Sequence, residues 1–205
     1  EGGERDATRL GEIRVDGGLS IKVALSGGLS RITDLEERGG YRAKFPNGGA
    51  GVDAISINTG GGLVGGDNVT VAIDVGDGAA MTFATQSAER VYRALSAAVR
   101  TNVQLTLAPR ASLHWLPQET ILFNGAKLKR SIEADIAKDA TLLLSEAVVF
   151  GREAMGEDVR NGAFHDRWIV TRDGTPAYVE AVAFEGDLHT QMQHRAVGAA
   201  ARAAA

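Results

Sequence analysis

The sequence contains no cysteine. Disulfide bridges and thiolate metal sites are therefore excluded, and the composition fits a reducing compartment, so we expect a cytoplasmic location. Its 4 histidines follow none of the spacings that bind zinc, such as H-E-x-x-H. For these reasons we expect no tightly bound metal or other resident cofactor.

Long apolar stretches and basic clusters are also missing. No run approaches the ~18 residues that a membrane span needs, and no signal-peptide pattern opens the chain. The formal net charge of −4 comes without a long basic run, which argues against a nucleic-acid partner. Lys127, Lys129 and Arg130 lie on an alternating stretch and predict a solvated strand face. Neither a membrane nor a nucleic acid is expected as a partner.

Aromatic residues and prolines are scarce, whereas glycine is abundant. Aromatic residues make up 5% of the 205 residues, so the core must consist mainly of aliphatic side chains. The chain has 4 prolines but 26 glycines, and this glycine content is nearly twice the ~7% of average proteins. Many glycines with few prolines indicate numerous turns between short strands.

Short alternating segments recur roughly every ten residues, with turn signals between them. This pattern predicts an all-β protein of stacked antiparallel or mixed sheets with few helices, in a single domain over residues 1–205. No repeat is visible in the sequence, which argues against a solenoid with regular rungs. Gly76-Asp77-Gly78 and Asp173-Gly174 predict hairpins. One helix is expected near the C-terminal end, over residues 187–205, with Asp187 as its N-cap.

Five glycines crowd the stretch NTGGGLVGGD at residues 58–67. Gly60, Gly62 and Gly65 spell G-x-G-x-x-G, but the residues that follow alternate like a strand. A dinucleotide site needs a helix to begin there, so we reject that interpretation. A P-loop also fails, because Asp67 stands where a lysine is required. The stretch therefore predicts a glycine-rich corner between two strands, closed by a carboxylate.

Glu146 is the most unusual residue of the sequence, since it lies inside the apolar run LLLSEAVVF at residues 142–150. Such a run predicts a strand covered on both faces. Burying a carboxylate there costs several kcal/mol unless it is paired, hydrated or protonated. Glu180 repeats the theme within residues 178–184. The alternative is an edge strand with Glu146 facing water.

Two further polar residues stand beside predicted strands. Asp67 closes the glycine-rich corner, and Ser87 follows the strand that ends at Thr85. Together with Glu146 and Glu180, they would either line an internal polar passage or include an acid/base pair. The residues alone leave both interpretations open.

Four segments of the chain stand in a characteristic order and spacing: NTGGGLVGGD (58–67), TQSAERVYR (85–93), WLPQETILFNG (115–125) and EAVVFGREAMGE (146–157). Together they resemble the UreD family of urease accessory proteins, called UreH in some bacteria. The resemblance runs from about Leu19 to the end of the chain. Members of this family usually continue well beyond a point like Ala205. The resemblance therefore implies a single UreD-like domain that lacks its C-terminal part.

The resemblance implies a mainly β fold and a non-enzymatic function. UreD-like proteins bind urease apoprotein and the accessory protein UreF, and with the GTPase UreG they support nickel insertion into the urease active site. A water-filled tunnel is thought to carry the nickel. Matched motif by motif, the polar tunnel positions fall on Asp67, Ser87, Glu146 and Glu180. Of these, Asp67, Glu146 and Glu180 would contact nickel transiently.

Two other functions remain as alternatives. A glycoside hydrolase could use a buried carboxylate pair as acid and base, although the low aromatic content offers few rings on which a sugar could stack. A purely structural β scaffold could bridge its partners, in which case the embedded acids would only stabilise the fold.

Overall fold

The structure is a computed structural model that describes residues 15–46, 49–152, 156 and 158–194, and the backbone of residues 203–204. Within these residues the regular structure is almost entirely β, as the turn-rich, alternating sequence predicts. The strands are β1 (Asp16–Ser26), β2 (Leu29–Arg38), β3 (Tyr41–Lys44), β4 (Val52–Asn58), β5 (Asn68–Val75), β6 (Ala80–Thr85), β7 (Glu89–Val91), β8 (Val99–Leu107), β9 (Ser112–Leu116), β10 (Thr120–Leu122), β11 (Lys127–Ile136), β12 (Thr141–Leu144), β13 (Val148–Phe150), β14 (Asn161–Arg172), β15 (Thr175–Asp187) and β16 (Ala203–Ala204). The helix α1 spans Leu188–Gln193.

The strands form three sheets of seven, five and four strands. Their orders are β15-β14-β11-β8-β5-β1-β2, β12-β9-β6-β4-β3 and β16-β13-β10-β7. Successive strands step from the seven-stranded to the five-stranded to the four-stranded sheet, so β5 to β7, β8 to β10 and β11 to β13 are three coils. Neighbouring coils pair in parallel, and antiparallel strands complete the edges. The mixed sheets predicted from the sequence are confirmed.

This winding is a β-solenoid, so the expectation that argued against a solenoid is wrong. Asn68 pairs with Arg100, and Val99 with Leu128, so the chain returns to the same sheet after roughly 30 residues. The inward positions need only apolar side chains of suitable size, not the same residue in each coil. A solenoid can therefore form without a repeat that is visible in the sequence.

The core consists of inward side chains stacked from coil to coil. Val71, Val103 and Ile132 pair across β5, β8 and β11 and are almost fully buried. On the five-stranded sheet, the rings of Phe83 and Trp115 stack with their centroids 4.4 Å apart. These ladders fill most of the interior with aliphatic side chains, as the low aromatic content requires.

The glycine-rich corner joins β4 to β5 and brings backbones into close contact. A Cβ atom on Gly62 would lie 2.4 Å from the ring of Tyr92, and one on Gly65 would lie 2.5 Å from the carbonyl oxygen of Ala97. Gly62 also has a φ of 143°, which residues with a side chain rarely adopt. No helix follows, because β5 begins at Asn68. The rejection of a nucleotide site on this ground agrees with the structure.

Two predictions about chain direction need correction. Residues 142–150 do not form one strand covered on both faces, because the chain turns at residues 145–147 to pass from the five-stranded to the four-stranded sheet. Leu143 on β12 is 48% exposed, so that strand faces solvent on one side. Gly76-Asp77-Gly78 is likewise a corner between sheets and not a hairpin, since β5 and β6 belong to different sheets.

The C-terminal predictions are confirmed in part. Asp173 and Gly174 both have positive φ and join β14 to β15 as a two-residue hairpin. The carboxylate of Asp187 accepts a hydrogen bond of 3.0 Å from the amide of Thr190, which makes it the N-cap of α1. This helix ends at Gln193, so the predicted helix over residues 187–205 is too long. Residues 195–202 lie outside the described part, and β16 pairs with β13.

Candidate functional site: carboxylates inside the solenoid

The turn between β12 and β13 directs Glu146 into the solenoid, where it is only 8% exposed. Its Oε1 accepts a hydrogen bond of 2.8 Å from Nε1 of Trp115, the residue that stacks on Phe83. Its Oε2 accepts a hydrogen bond from Nη1 of Arg130. The carboxylate predicted to be embedded in apolar surroundings is therefore buried, and a cation and an indole hold it in place.

Arg130 projects inward from β11 and binds a second acid. Its Nε and Nη2 donate to the two carboxylate oxygens of Asp166 on β14, at 2.9 and 2.6 Å. The guanidinium carbon also lies 5.8 Å from the centroid of the Phe164 ring. The side chains of Arg130, Glu146 and Asp166 are 4%, 6% and 10% exposed. We call these three residues the buried triad.

Burial and charge act in opposite directions within the buried triad. Burial raises the pKa of Glu146, whereas the charge of Arg130 and the hydrogen bond from Trp115 oppose that rise. For Arg130, burial lowers the pKa, but the hydrogen bonds to Asp166 and the charge of Glu146 outweigh it and raise the pKa. The guanidinium therefore stays charged and supplies the counter-charge that a buried carboxylate needs.

A second carboxylate, that of Glu89 on β7, faces the same interior. Its Oε2 accepts a hydrogen bond of 2.9 Å from the hydroxyl of Tyr41, and the amide of Asn58 donates to both carboxylate oxygens at 3.0 and 3.1 Å. Burial raises the pKa of Glu89, although these hydrogen bonds oppose the rise. Burial and the neighbouring Glu89 also raise the pKa of Tyr41, which keeps its hydroxyl protonated as a donor.

Two adjoining cavities connect these carboxylates. We call the cavity of about 80 Å³ that is lined by Glu146, Arg130 and Glu89 the inner cavity, and the cavity of about 60 Å³ that is lined by Glu89 and Ser87 the outer cavity. Both reach the surface, the first beside exposed Gln118 and the second beside exposed Ser87. Each is several times larger than the ~15 Å³ that one water molecule requires. They share the lining residues Tyr41, Ser56, Thr85 and Glu89.

The four residues predicted to line a passage do not all come together. Glu146 lines the inner cavity, and exposed Ser87 lines the outer one. Asp67 is 2% exposed but lines neither cavity, because its carboxylate accepts hydrogen bonds from the amides of Val15 and Val64, at 2.9 and 2.8 Å. In this position Asp67 closes the glycine-rich corner.

Glu180 lies apart from the other three, on the exposed edge strand β15. It pairs with Trp168, which in turn pairs with Ile132, so it shares a sheet face with core residues. In the described residues, however, the five-stranded sheet ends at β12, and no strand covers β15. The carboxylate of Glu180 accepts a hydrogen bond from the hydroxyl of Tyr178 at this open end.

The sequence interpretation missed three of the charged residues here. Arg130 is predicted on a solvated face, yet it shares its alternation with Leu128 and Ile132, a signal that points inward. Asp166 pairs with Arg130 across strands, which requires knowledge of the register. For Glu89, the strand β7 has only three residues, too few to show an alternation.

In the described ranges, the side chains of the site that could contact a metal ion are single carboxylates and not a cluster. These ranges contain no group of three or more His, Cys, Asp or Glu side chains that could hold a metal ion. They also contain no helix that is long and apolar enough to cross a membrane. The site thus consists of single hydrogen-bonded carboxylates in a largely apolar interior, and Glu146 is also bound to a cation.

Comparison with known proteins gives one family. A family model described as UreD urease accessory protein matches residues 15–205. Among curated relatives, urease accessory protein UreD of Rhodopseudomonas palustris strain BisB18 is 44% identical over 191 residues, which cover 92% of this chain and 69% of the relative. UreD of strain BisA53 is 42% identical, covering 90% and 65%, and UreD of Methylobacterium sp. strain 4-46 is 41% identical, covering 94% and 69%. The chain thus spans about two thirds of the length of these relatives.

Proposed function

Since this chain belongs to the UreD family of urease accessory proteins, we propose that it supports urease maturation by passing nickel ions through the interior of its solenoid. In this proposal the chain is not an enzyme. It binds urease apoprotein and UreF, reaches UreG through UreF, and holds nickel only in transit. The observation that carries the proposal is the pair of adjoining cavities with Glu89 and Glu146 on their walls.

The chemistry of the lining suits a divalent cation that must move on. Nickel accepts carboxylate and carbonyl oxygens as ligands, but a stable site needs several of them at once. Glu89 accepts hydrogen bonds from neutral side chains and has Arg90 nearby, and Glu146 lies beside Arg130. No third acid completes a cage in the described residues. Such a lining attracts a cation and also allows its release, as transit through a polar pore requires.

The order of the lining residues suggests a path. Ser87 is exposed at the outer cavity, Glu89 borders both cavities, and Glu146 lies on the inner cavity beside Arg130. A hydrated ion that enters past Ser87 would meet Glu89 first and Glu146 second. Glu180 extends this path only if a further segment covers the open end of β15, and Asp67 would act by holding the corner at the side of the outer cavity.

The experiment is urease activation in cells that co-express the urease genes with variants of this protein at limiting nickel. Glu146→Gln and Glu89→Gln keep the shape of the side chain and remove its charge, and we expect each to lower the nickel content of urease several-fold. Glu133→Gln is the matched control, because Glu133 lies outward on β11 and is exposed. Pull-down of UreF and urease apoprotein should be unchanged in all three variants.

The outcomes separate transit from scaffolding. A scaffold whose acids are only structural predicts wild-type nickel content in both cavity variants, provided that partner binding persists. If Glu146→Gln and Glu89→Gln load urease as well as the control variant, nickel does not travel through these cavities.

A further inference from the structure

The inner cavity already contains a cation of the protein's own. Arg130 lines that cavity together with Glu146, and its side chain is 4% exposed. A guanidinium stays protonated at every physiological pH, so its charge cannot be removed to make room for a metal ion. An ion that approaches Glu146 therefore meets a carboxylate that is already neutralised.

The charges of the buried triad are nevertheless unequal. Arg130 supplies one positive charge, whereas Glu146 and Asp166 supply two negative charges when they are ionised. The contacts of Arg130 with the two acids are unequal as well. The guanidinium binds Asp166 through two hydrogen bonds but binds Glu146 through Nη1 alone. A bidentate pair is the stronger of the two and fixes the plane of the guanidinium.

We propose that Arg130 is an exchangeable counter-ion, which yields Glu146 to a passing divalent cation while it remains anchored to Asp166. This inference rests on the proposed function and adds a regulatory element to the same site. Asp166 anchors Arg130 and supplies the excess negative charge, so that the interior attracts a cation even while Glu146 is paired. Trp115 keeps the other oxygen of Glu146 in place during the exchange.

The exchange with Arg130 explains why a divalent cation is released from Glu146. When the cation leaves, Arg130 restores the ion pair with Glu146, and this competition weakens metal binding at the carboxylate. Without the guanidinium, Glu146 and Asp166 would both face the space that it fills, because both contact it now. Two carboxylates around one vacated position bind a divalent cation more tightly than one carboxylate does, so loss of Arg130 should strengthen nickel binding at Glu146 and slow its release.

The test is nickel binding by the purified protein. Arg130→Gln should bind nickel roughly tenfold more tightly than the wild type in equilibrium dialysis, and it should melt at a higher temperature when nickel is added. The double variant Arg130→Gln/Glu146→Gln is the matched control and should lose the added affinity. Nickel affinity no greater than wild type in a folded Arg130→Gln protein overturns the proposal.

A second variant decides the matter if Arg130→Gln does not fold with or without nickel. Asp166→Asn keeps the shape of the anchor but removes the excess negative charge, so we expect several-fold lower nickel content of urease at limiting nickel. Wild-type loading by folded Asp166→Asn would overturn the proposal. Tighter nickel binding by Arg130→Gln, combined with normal urease loading by Glu146→Gln, would keep the exchange site and reject the passage instead.

Discussion

Glu89 and Glu146 line the same interior but are stabilised in different ways. Glu89 receives hydrogen bonds from a hydroxyl and an amide, both neutral, whereas Glu146 is bound to the guanidinium of Arg130. Neutral donors stabilise a carboxylate but leave its negative charge in place, while a guanidinium cancels it. The outer carboxylate therefore has only the nearby charge of Arg90 as compensation, whereas the inner carboxylate is hydrogen-bonded to a buried cation.

This difference distinguishes the two positions that a cation would meet in turn on its way from Ser87 to Glu146. A cation that enters past Ser87 meets Glu89 first, and there it competes only with the charge of neighbouring Arg90, which donates no side-chain hydrogen bond to the carboxylate. It reaches Glu146 only by competing with Arg130, so the inner position accepts an ion more selectively than the outer one. A half-buried and a buried glutamate can thus perform two tasks, because only the second is hydrogen-bonded to a guanidinium.

The largest effect that tests this comparison is loss of the inner cation. In metal-free buffer, Arg130→Gln leaves two buried acids without a counter-charge, which should lower the free energy of unfolding by about 3–5 kcal/mol in a urea titration. The matched control is Arg110→Gln, since Arg110 pairs with Asp77 on the surface and its side chain is 64% exposed. That variant should lose less than about 1 kcal/mol. Equal losses in both variants would show that burial of the triad has no special energetic role.

Part of this arrangement follows from the sequence. A carboxylate within an apolar run must be paired, hydrated or protonated, so Glu146 is conspicuous from the order of residues alone. The glycine-rich corner, the hairpin at Asp173-Gly174 and the N-cap at Asp187 follow from backbone preferences over a few residues. Local chemistry therefore predicts the secondary structure and the residue that needs an explanation.

The partners of these acids could not be predicted in the same way. Arg130 and Asp166 meet only because β11 and β14 pair in parallel, and Tyr41 reaches Glu89 across two separate sheets. An apolar run also does not reveal where the chain changes from one sheet to the next, which is why its pattern does not predict the turn at residues 145–147. Long-range register and corner positions depend on the whole winding of the chain.

A smaller effect is expected at the outer carboxylate, through the pH dependence of stability. Burial raises the pKa of Glu89 above its ordinary value of 4.5, so the folded protein binds a proton that the unfolded chain has already released. Stability from this group is present below the unfolded pKa and is lost as pH rises through the folded pKa. Glu89→Gln removes that loss, so it should be more stable than wild type at pH 7, with little difference between the two at pH 4.

Thermal unfolding from pH 4 to pH 8 measures this prediction. Tyr41→Phe provides an internal comparison, because it removes a donor to Glu89 and should raise the pKa of that carboxyl further. The melting temperature of the wild type should then fall more steeply with rising pH than that of Glu89→Gln. The melting temperature of Tyr41→Phe should fall more steeply still. A Glu89→Gln protein that is less stable than wild type at pH 7 would mean that Tyr41 and Asn58 compensate the charge fully.

The smallest effect is expected at Glu180, and it tests where the interior ends. Its side chain is exposed on β15 and is bound to Tyr178, so Glu180→Gln should change the free energy of unfolding by less than about 0.5 kcal/mol. Stability and nickel loading should therefore be measured on the same variant. A normal nickel content of urease would confine the passage to the cavities of Glu89 and Glu146. A several-fold loss with unchanged stability would mean that the open end of the solenoid is covered in the working complex, because only a covered Glu180 could face a passing ion.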